Sequence, residues 1–233
     1  MHPRAIARLG PADGVTVANG VLGFLAAAAA TVDPALSARL LLLAAVADGL
    51  DGVLAERWGT TPVGEFLDSL SDAISFGVAP ALFVLGAARA EIERPLLVPE
   101  PAALVLAVPG LFVALAVVRL GLYTAYDVGR GVTEGVQTTL AATLLAAAYL
   151  AGVRSPTVLL GATLVLSGLM VAPLGYPDLR ARDTLAMGSV QALAIVAPAA
   201  LARLFPRALF VAGLAYLALA PRYYPRAGEG KRT

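Results

Sequence analysis

Four aspartates occur in two pairs, and the spacing within each pair allows both carboxylates to act on one ligand. Asp48 and Asp51 are three residues apart, and Asp68 and Asp72 are four residues apart. On a helix, the members of these pairs lie about 60° and about 40° apart, so each pair occupies a single face. Four carboxylates within a few ångströms of one another cannot all stay ionised unless cations lie between them. The spacing therefore predicts a metal site.

The ligands that the sequence offers are oxygen atoms, because the chain contains no cysteine and a single histidine, His2. Mg²⁺ or Mn²⁺ is the expected ion, and two divalent ions can be shared by two carboxylate pairs. Gly52 and Ala55 lie on the same helix face as Asp48 and leave room there for a bulky ligand. An aspartate inside a membrane is often only the structural partner of an arginine, but Arg57 lies on the opposite face of this helix.

The aspartates belong to a chain with the composition of a membrane protein. Of the 233 residues, 59% are hydrophobic and 14% are charged, whereas soluble domains are about 25% charged. This composition excludes a soluble enzyme, a disordered tail, a collagen-like chain and a protein that binds nucleic acid through a basic face. A helix needs about 20 residues to cross a bilayer, and eight apolar runs have this length or come close to it. The fifth, sixth and eighth runs are short enough to be tilted or re-entrant. The runs cover residues 15–32, 36–55, 66–88, 102–126, 138–151, 157–171, 185–204 and 208–220.

The sequence thus predicts an all-α, polytopic membrane bundle of about eight transmembrane helices that forms a single domain, residues 1–233. Residues 1–13 are expected to lie as an interfacial segment, and residues 222–233 to form a polar tail. With both termini in the cytoplasm, that side holds eleven of the Lys and Arg residues and the other side holds six. This excess favours cytoplasmic termini.

The segment around the aspartates resembles a known motif. Residues 47–55 (ADGLDGVLA) and 64–72 (GEFLDSLSD) are similar to the signature of the CDP-alcohol phosphotransferase family, Asp-x2-Asp-Gly-x2-Ala-Arg-x8-Gly-x3-Asp-x3-Asp. Both aspartate pairs, both glycines and the alanine are present. Glu56 stands at the position of the arginine, and the stretch before Gly64 is one residue short. The Glu56 substitution puts in doubt the phosphate contact that the family assigns to that arginine.

The resemblance extends to one branch of the family, whose members transfer a phosphatidyl group from CDP-diacylglycerol to serine. Residues 68–81 (DSLSDAISFGVAPA) and the pattern Thr16-x2-Asn19-x3-Gly23 resemble this branch, and the pattern is nearest to its archaeal members, in which the lipid is CDP-archaeol. The resemblance implies a homodimeric enzyme of phospholipid biosynthesis in the cell membrane that uses two divalent ions, releases CMP and has a cytoplasm-facing site.

The family assigns roles to residues of the motif. It implies that Asp48, Asp51, Asp68 and Asp72 bind the metal ions, and that Asp72 is also the general base for the acceptor hydroxyl. Residues expected to bind the nucleotide are Thr16, Asn19, Asp48, Gly52 and Ala55.

The acceptor site is expected to include Arg119 and Ser75. Arg119 lies in the fourth apolar run with Tyr123 on the same face, and an arginine inside a membrane needs an anion, such as the carboxylate of L-serine. An ion pair with Asp127 or an arginine that reaches the interface is the alternative role. Glycerol 3-phosphate or an inositol phosphate is the alternative acceptor, although it would need a second basic cluster. A divalent-cation transporter is the alternative from another class.

Overall fold

The computed structural model describes residues 8–91, 99–127, 132–177 and 181–224. Helices account for most of these residues, as the sequence predicts, and two helical stretches contain a π-helical segment, called π1 and π2. In chain order the elements are α1 (Pro11–Ala29), α2 (Pro34–Trp58), α3 (Gly64–Asp72), π1 (Ala73–Val78), α4 (Ala79–Glu91), α5 (Pro99–Leu122), π2 (Tyr123–Asp127), β1 (Val132–Glu134), α6 (Thr138–Ala151), α7 (Pro156–Met170), β2 (Gly175–Pro177), α8 (Ala181–Val196) and α9 (Ala200–Tyr223).

Among the described residues, four helical stretches are long and apolar enough to cross a membrane, namely Pro11–Ala29, Gly64–Arg89, Val105–Asp127 and Ala200–Tyr223. The helices Thr138–Ala151, Pro156–Met170 and Ala186–Val196 are also apolar, but they are 10–17 residues long. Helix α2 has 25 residues, with charged side chains in both halves. The molecule is therefore a helical membrane protein, as predicted, and four stretches within its described residues have the length and composition of a span.

The predicted apolar runs fall on these helices, but one boundary is wrong. The seventh run was expected to continue to residue 204, whereas α8 ends at Val196. Pro198 follows two residues later, and a proline disfavours helical geometry at the residue before it. Leu201, Ala202 and Arg203 then adopt positive φ angles of 48°, 53° and 65°, so the regular part of α9 begins after them.

The two ends of the chain are described only in part. The predicted interfacial segment, residues 1–13, and the polar tail, residues 222–233, lie mostly outside the described residues. Within them, α1 begins at Pro11 and α9 ends at Tyr223.

The π-helical segments lie next to residues that the sequence singles out. Helix α3 passes into π1 directly after Asp72 and continues as α4, and α5 passes into π2 after Leu122. A π-helical turn contains an extra residue, so it changes which side chains face the neighbouring helix, and such turns are frequent at functional sites.

Strands β1 and β2 form a small antiparallel sheet, which the all-α prediction does not include. In this sheet Thr133 pairs with Tyr176. Gly135 follows β1 with a φ of +78°, and its N–H donates to the Leu174 carbonyl oxygen at 2.8 Å. A Cβ at this glycine would collide with the carbonyl group of Met170, so the close approach requires glycine. The pairing brings the ends of α5 and α7 and the starts of α6 and α8 to one end of the bundle.

The helices pack around a core of leucine, alanine and aromatic side chains. The rings of Phe83 and Tyr149 meet edge to face with their centroids 5.3 Å apart. Two hydrogen bonds also join α2 to α8, since the Nε of Arg39 and the Nε2 of Gln191 each donate to a main-chain carbonyl across this contact at 2.7 Å. These bonds hold the helix that carries the first aspartate pair.

Candidate metal and substrate site

Three of the four aspartates converge where α2 and α3 meet. Carboxylate oxygens of Asp48, Asp68 and Asp72 all lie within 4.8 Å of one another. The carboxyl groups of Asp48 and Asp72 are close enough to share a hydrogen bond. Asp72 is buried, whereas Asp48 and Asp68 are half-buried, so a ligand can reach the cluster from one side. We call these three residues the acidic wall.

The donor set of the acidic wall fits a hard divalent cation. It consists of carboxylate oxygens, which Mg²⁺ and Mn²⁺ prefer, and the chain has no thiolate that would favour a softer ion. Another buried oxygen lies beside the cluster, because Asn19 donates from Nδ2 to the Oδ1 of Asp72 at 3.1 Å. The Oδ1 of Asn19 is buried and accepts no hydrogen bond from the part of the chain that the structure describes.

Asp51 lies apart from this cluster. Its Oδ2 accepts a hydrogen bond from the Thr16 hydroxyl at 2.7 Å, and both side chains are buried. Thr16 thus orients Asp51 across the contact between α1 and α2. The sequence places all four aspartates together, and the structure brings three of them within ligand distance of one another.

A close contact between α1 and the helical stretch of α3 and π1 explains how Asn19 reaches Asp72. Gly23 of α1 lies directly against Ser75, so closely that a Cβ at residue 23 would overlap the main chain of Ser75. The hydroxyl of Ser75 donates to the Asn19 carbonyl oxygen at 2.8 Å. Small residues in membrane helices allow this kind of approach.

Ser75 therefore has a packing role in the structure. Its side chain is fully buried, and it is absent from the residues that line the cavity beside the aspartates. The sequence analysis expects Ser75 in the acceptor site, but in the structure its side chain packs on Gly23 of α1 and donates to the Asn19 carbonyl oxygen.

A cavity of about 160 Å³ opens beside the acidic wall. Its other side, which we call the polar wall, is formed by Arg119, Tyr123, Thr133 and Gln137. The guanidinium carbon of Arg119 lies 5.3 Å from the centroid of the Tyr123 ring. Arg119 is buried, and Asp127 is near enough to attract its charge. Its Nε nevertheless donates to no atom of the described residues.

The N-terminus of α6 forms the edge between the two walls. Thr138 and Thr139 line the cavity, and the Thr139 hydroxyl donates to the Oδ2 of Asp48 at 3.3 Å. The N-terminal end of a helix carries partial positive charge and free N–H groups, so it favours an anion. The cavity therefore combines carboxylates, one guanidinium group and a helix N-terminus.

Comparison with known proteins agrees with this geometry. Residues 11–173 match the family model described as CDP-alcohol phosphatidyltransferase, and this range includes both walls of the cavity. The chain belongs to the CDP-alcohol phosphatidyltransferase family. The resemblance that the aspartate motif predicts is thereby confirmed.

Three relatives of the chain have curated names. The archaetidylserine synthase of Methanothermobacter thermautotrophicus is 32% identical over 152 residues, which cover 63% of this chain and 61% of the relative. The CDP-diacylglycerol–serine O-phosphatidyltransferase of Methanocaldococcus jannaschii is 41% identical over 70 residues, or 30% of this chain and 32% of the relative. The enzyme of that name from Mycobacterium leprae is 48% identical over 50 residues, or 21% of this chain and 17% of the relative. The matches thus span less than two thirds of each relative's length.

The family motif departs from its usual pattern at Glu56. In the structure this side chain is exposed, and it is not among the residues that line the cavity. By contrast, a side chain added at Gly52 would meet nothing within 4 Å in the described part of the chain. The space that the sequence predicts at Gly52 is therefore present, and the half-buried Ala55 lies one turn further along the same helix.

Some residues of the site were missed by the sequence analysis. Thr133 and Thr139 line the cavity, although each lies more than 60 residues from the aspartate motif.

A structural role of Asp13 was missed as well. Asp13 is buried and accepts hydrogen bonds from the Gly10 N–H at 2.7 Å and the Thr61 hydroxyl at 2.9 Å. It fastens the start of α1 to the loop before α3. The sequence could have indicated this role, because Asp13 is an acidic residue in the first turn of an apolar helix.

Proposed function

We propose that this protein is an integral membrane enzyme of phospholipid biosynthesis that transfers the phosphatidyl or archaetidyl group of a CDP-lipid to L-serine and releases CMP. The observation that carries the proposal is the convergence of Asp48, Asp68 and Asp72 within 4.8 Å in a chain of the CDP-alcohol phosphatidyltransferase family. The names of the three relatives, all of which refer to serine or to archaetidylserine, support the acceptor.

The aspartates would hold the cations that phosphoryl-type transfer requires. Asp48, Asp68 and Asp72, with Asp51 behind them, would hold one or two Mg²⁺ or Mn²⁺ ions, which neutralise phosphate charge and orient the pyrophosphate when bound. Asn19 fixes one oxygen of Asp72 through its hydrogen bond at 3.1 Å. This contact orients the Asp72 carboxylate beside Asp48 and Asp68.

Asp72 acts as the general base. It takes the proton of the serine hydroxyl as the serine oxygen forms a bond to the lipid-bearing phosphorus. The bond between that phosphorus and the bridging oxygen of CMP breaks, and CMP leaves with that oxygen. Because α1 and π1 pack closely through Gly23 and Ser75, Asp72 is held in place while the substrates bind.

The donor would lie along α1 and α2. Thr16, Asn19, Asp48, Gly52 and Ala55 are the residues that we assign to the nucleotide, and the open space at Gly52 lets the nucleotide approach the helix main chain. The N-terminus of α6 lies at the cavity edge, where it favours the negative pyrophosphate.

The acceptor would bind at the polar wall. Arg119 is buried, and its Nε–H has no partner among the described residues. Arginine binds carboxylates through directed hydrogen bonds. The cavity volume of about 160 Å³ is well below the about 300–1,000 Å³ of sites for drug-sized ligands, which favours a small acceptor. Arg119 is the single cationic side chain that lines the cavity among the described residues, which favours serine over a phosphorylated acceptor.

The proposal includes the arrangement in the membrane. About eight helical stretches would cross or tilt within the cell membrane, with both termini and the cavity on the cytoplasmic side, and the enzyme would act as a homodimer. The start of α1 and the end of α9 both contact elements around the cavity, through Thr16 with Asp51 and Tyr216 with Pro177. This supports termini that lie on the side of the cavity.

The test is CMP release by the purified protein in the presence of Mg²⁺ or Mn²⁺. CDP-diacylglycerol and CDP-archaeol are offered as donors, and L-serine, glycerol 3-phosphate and inositol phosphate as acceptors. Release with L-serine alone is the expected result. Release only with a phosphorylated acceptor would overturn the choice of acceptor, and tight Mg²⁺ binding without any release would overturn the transferase function.

A further inference from the structure

Thr133 is a buried polar residue of the cavity that the family motif does not include. It occupies the centre of β1, lines the cavity and is 4% exposed. Its hydroxyl has no hydrogen-bond partner among the described residues. Burying a hydroxyl without a partner destabilises a fold, so its position at the cavity indicates a role toward a ligand.

The surrounding structure fixes Thr133 in place. Its strand pairs with β2, where Tyr176 lies directly opposite. Burial raises the pKa of the Tyr176 hydroxyl, which stays protonated and donates to the Leu217 carbonyl of α9 at 3.0 Å. On the other side of Thr133, the Val136 N–H donates to the Leu169 carbonyl at 3.0 Å. Contacts to α7 and α9 therefore hold the strand that presents this hydroxyl.

Arg119 lines the same cavity with an Nε–H that also lacks a partner in the described part of the chain. Two buried hydrogen-bond donors, one of them charged, match the two oxygens of a carboxylate. The acidic wall on the other side of the cavity matches a hydroxyl or an ammonium group. A small molecule with a carboxylate at one end and a hydroxyl at the other satisfies both walls.

We propose that Thr133 is a specificity-determining residue that, together with Arg119, binds the carboxylate of the acceptor. This inference rests on the proposed function. It limits the possible acceptors to hydroxy amino acids with a free carboxylate. The acceptor hydroxyl then lies toward Asp72, while the carboxylate is held by the sheet and by α5. Selection therefore depends on the small sheet, and phosphoryl transfer depends on the aspartate motif.

The test compares Thr133→Val, which removes the hydroxyl and keeps the shape, with Thr133→Ser, which keeps the hydroxyl. Glu134→Gln is the matched control, because Glu134 is on the same strand with an exposed side chain. We expect Thr133→Val to raise the KM for L-serine about 10-fold, as expected for loss of a hydrogen bond to a charged group. Its kcat and Mg²⁺ binding should stay close to those of the wild type, and its melting temperature should not fall, because the hydroxyl that is removed has no partner in the described structure. Thr133→Ser and Glu134→Gln should behave like the wild type.

A second measurement tests the binding of the carboxylate separately from the reaction of the hydroxyl. L-Alanine has the carboxylate of serine but no hydroxyl, so it should inhibit the wild type competitively, and Thr133→Val should weaken this inhibition by the same factor. An unchanged KM in Thr133→Val, a lower melting temperature with unchanged KM, or no inhibition of the wild type by L-alanine would overturn the inference. Absence of CMP release from the wild type with L-serine would overturn the proposed function as well, so the two failures are distinguishable.

Discussion

The two walls of the cavity differ in how the chain builds them. The acidic wall comes from two consecutive helices, within 25 residues of sequence, and carries a concentrated negative charge. The polar wall comes from α5, π2, β1 and the segment before α6, and it presents two buried donor atoms without partners in the described structure. The first arrangement suits ions and phosphate chemistry, which family members share. The second suits the recognition of one acceptor.

This difference indicates a division of tasks between the walls. Changes in the acidic wall should reduce the rate of transfer with any acceptor, because our proposal assigns the metal ligands and the general base to that wall. Changes in the polar wall should reduce affinity for the acceptor and leave the chemical step largely intact. Variants on each side can therefore test whether the division is real.

The largest effect is expected for Asp72→Asn, which keeps the size of the side chain and cannot accept the serine proton. We expect kcat to fall by about 10²–10⁴-fold, the range typical of a lost general base. Glu56→Gln is the control, because it removes an exposed carboxylate from α2 and should leave CMP release unchanged. Turnover of Asp72→Asn near the wild-type value would contradict the role of Asp72.

A smaller effect, mainly on affinity, is expected for Arg119→Lys. Lysine keeps the positive charge but lacks the planar fork of guanidinium donors, so it binds a carboxylate less well at such a site. We expect the KM for L-serine to rise about 10- to 100-fold, equivalent to about 1.4–2.7 kcal/mol, with a smaller change in kcat. An equal fall of kcat with unchanged KM would show that the polar wall takes part in the chemical step, and the proposed division would fail.

The smallest effect is expected for Ser75→Ala. The substitution removes a buried hydrogen bond between π1 and the Asn19 carbonyl, so thermal unfolding in detergent should show a loss of about 0.5–1.5 kcal/mol of stability. The KM for L-serine should stay the same, because Ser75 does not line the cavity. A clear rise in KM would restore the acceptor role that the sequence suggests for this residue.

The sequence predicted the acidic wall because the residues that form this wall lie close together in the chain. The aspartate spacing and the small residues at Gly52 and Ala55 need only helix periodicity and the family resemblance. The separation of Asp51 from the other three aspartates depends on Thr16, which lies 35 residues away. That contact could not be derived from the motif alone.

In the polar wall, the sequence singled out Arg119, whose charge is conspicuous in an apolar run, and Tyr123 on the same helix face. Thr133 reaches the cavity because two three-residue strands pair across 40 residues of intervening sequence, and neither strand has a detectable alternation of its own. Thr139 contacts Asp48 over a separation of 91 residues. The contact of Ser75 with Gly23 and the Asn19 carbonyl oxygen likewise joins residues more than 50 positions apart in the chain. Tertiary packing, rather than local propensity, decides these positions.

The measurement that tests the central claim most directly is the dependence of CMP release on free Mg²⁺. Wild-type protein and Asp68→Asn are titrated with Mg²⁺ in the presence of CDP-lipid and L-serine. Binding of Mn²⁺ is followed in parallel by electron paramagnetic resonance. We predict that wild-type release saturates with Mg²⁺ and stops in excess chelator, while Asp68→Asn needs more Mg²⁺ and binds Mn²⁺ more weakly. Release that continues in excess chelator, or Mn²⁺ binding that Asp68→Asn does not change, would contradict the assignment of the acidic wall as the metal site.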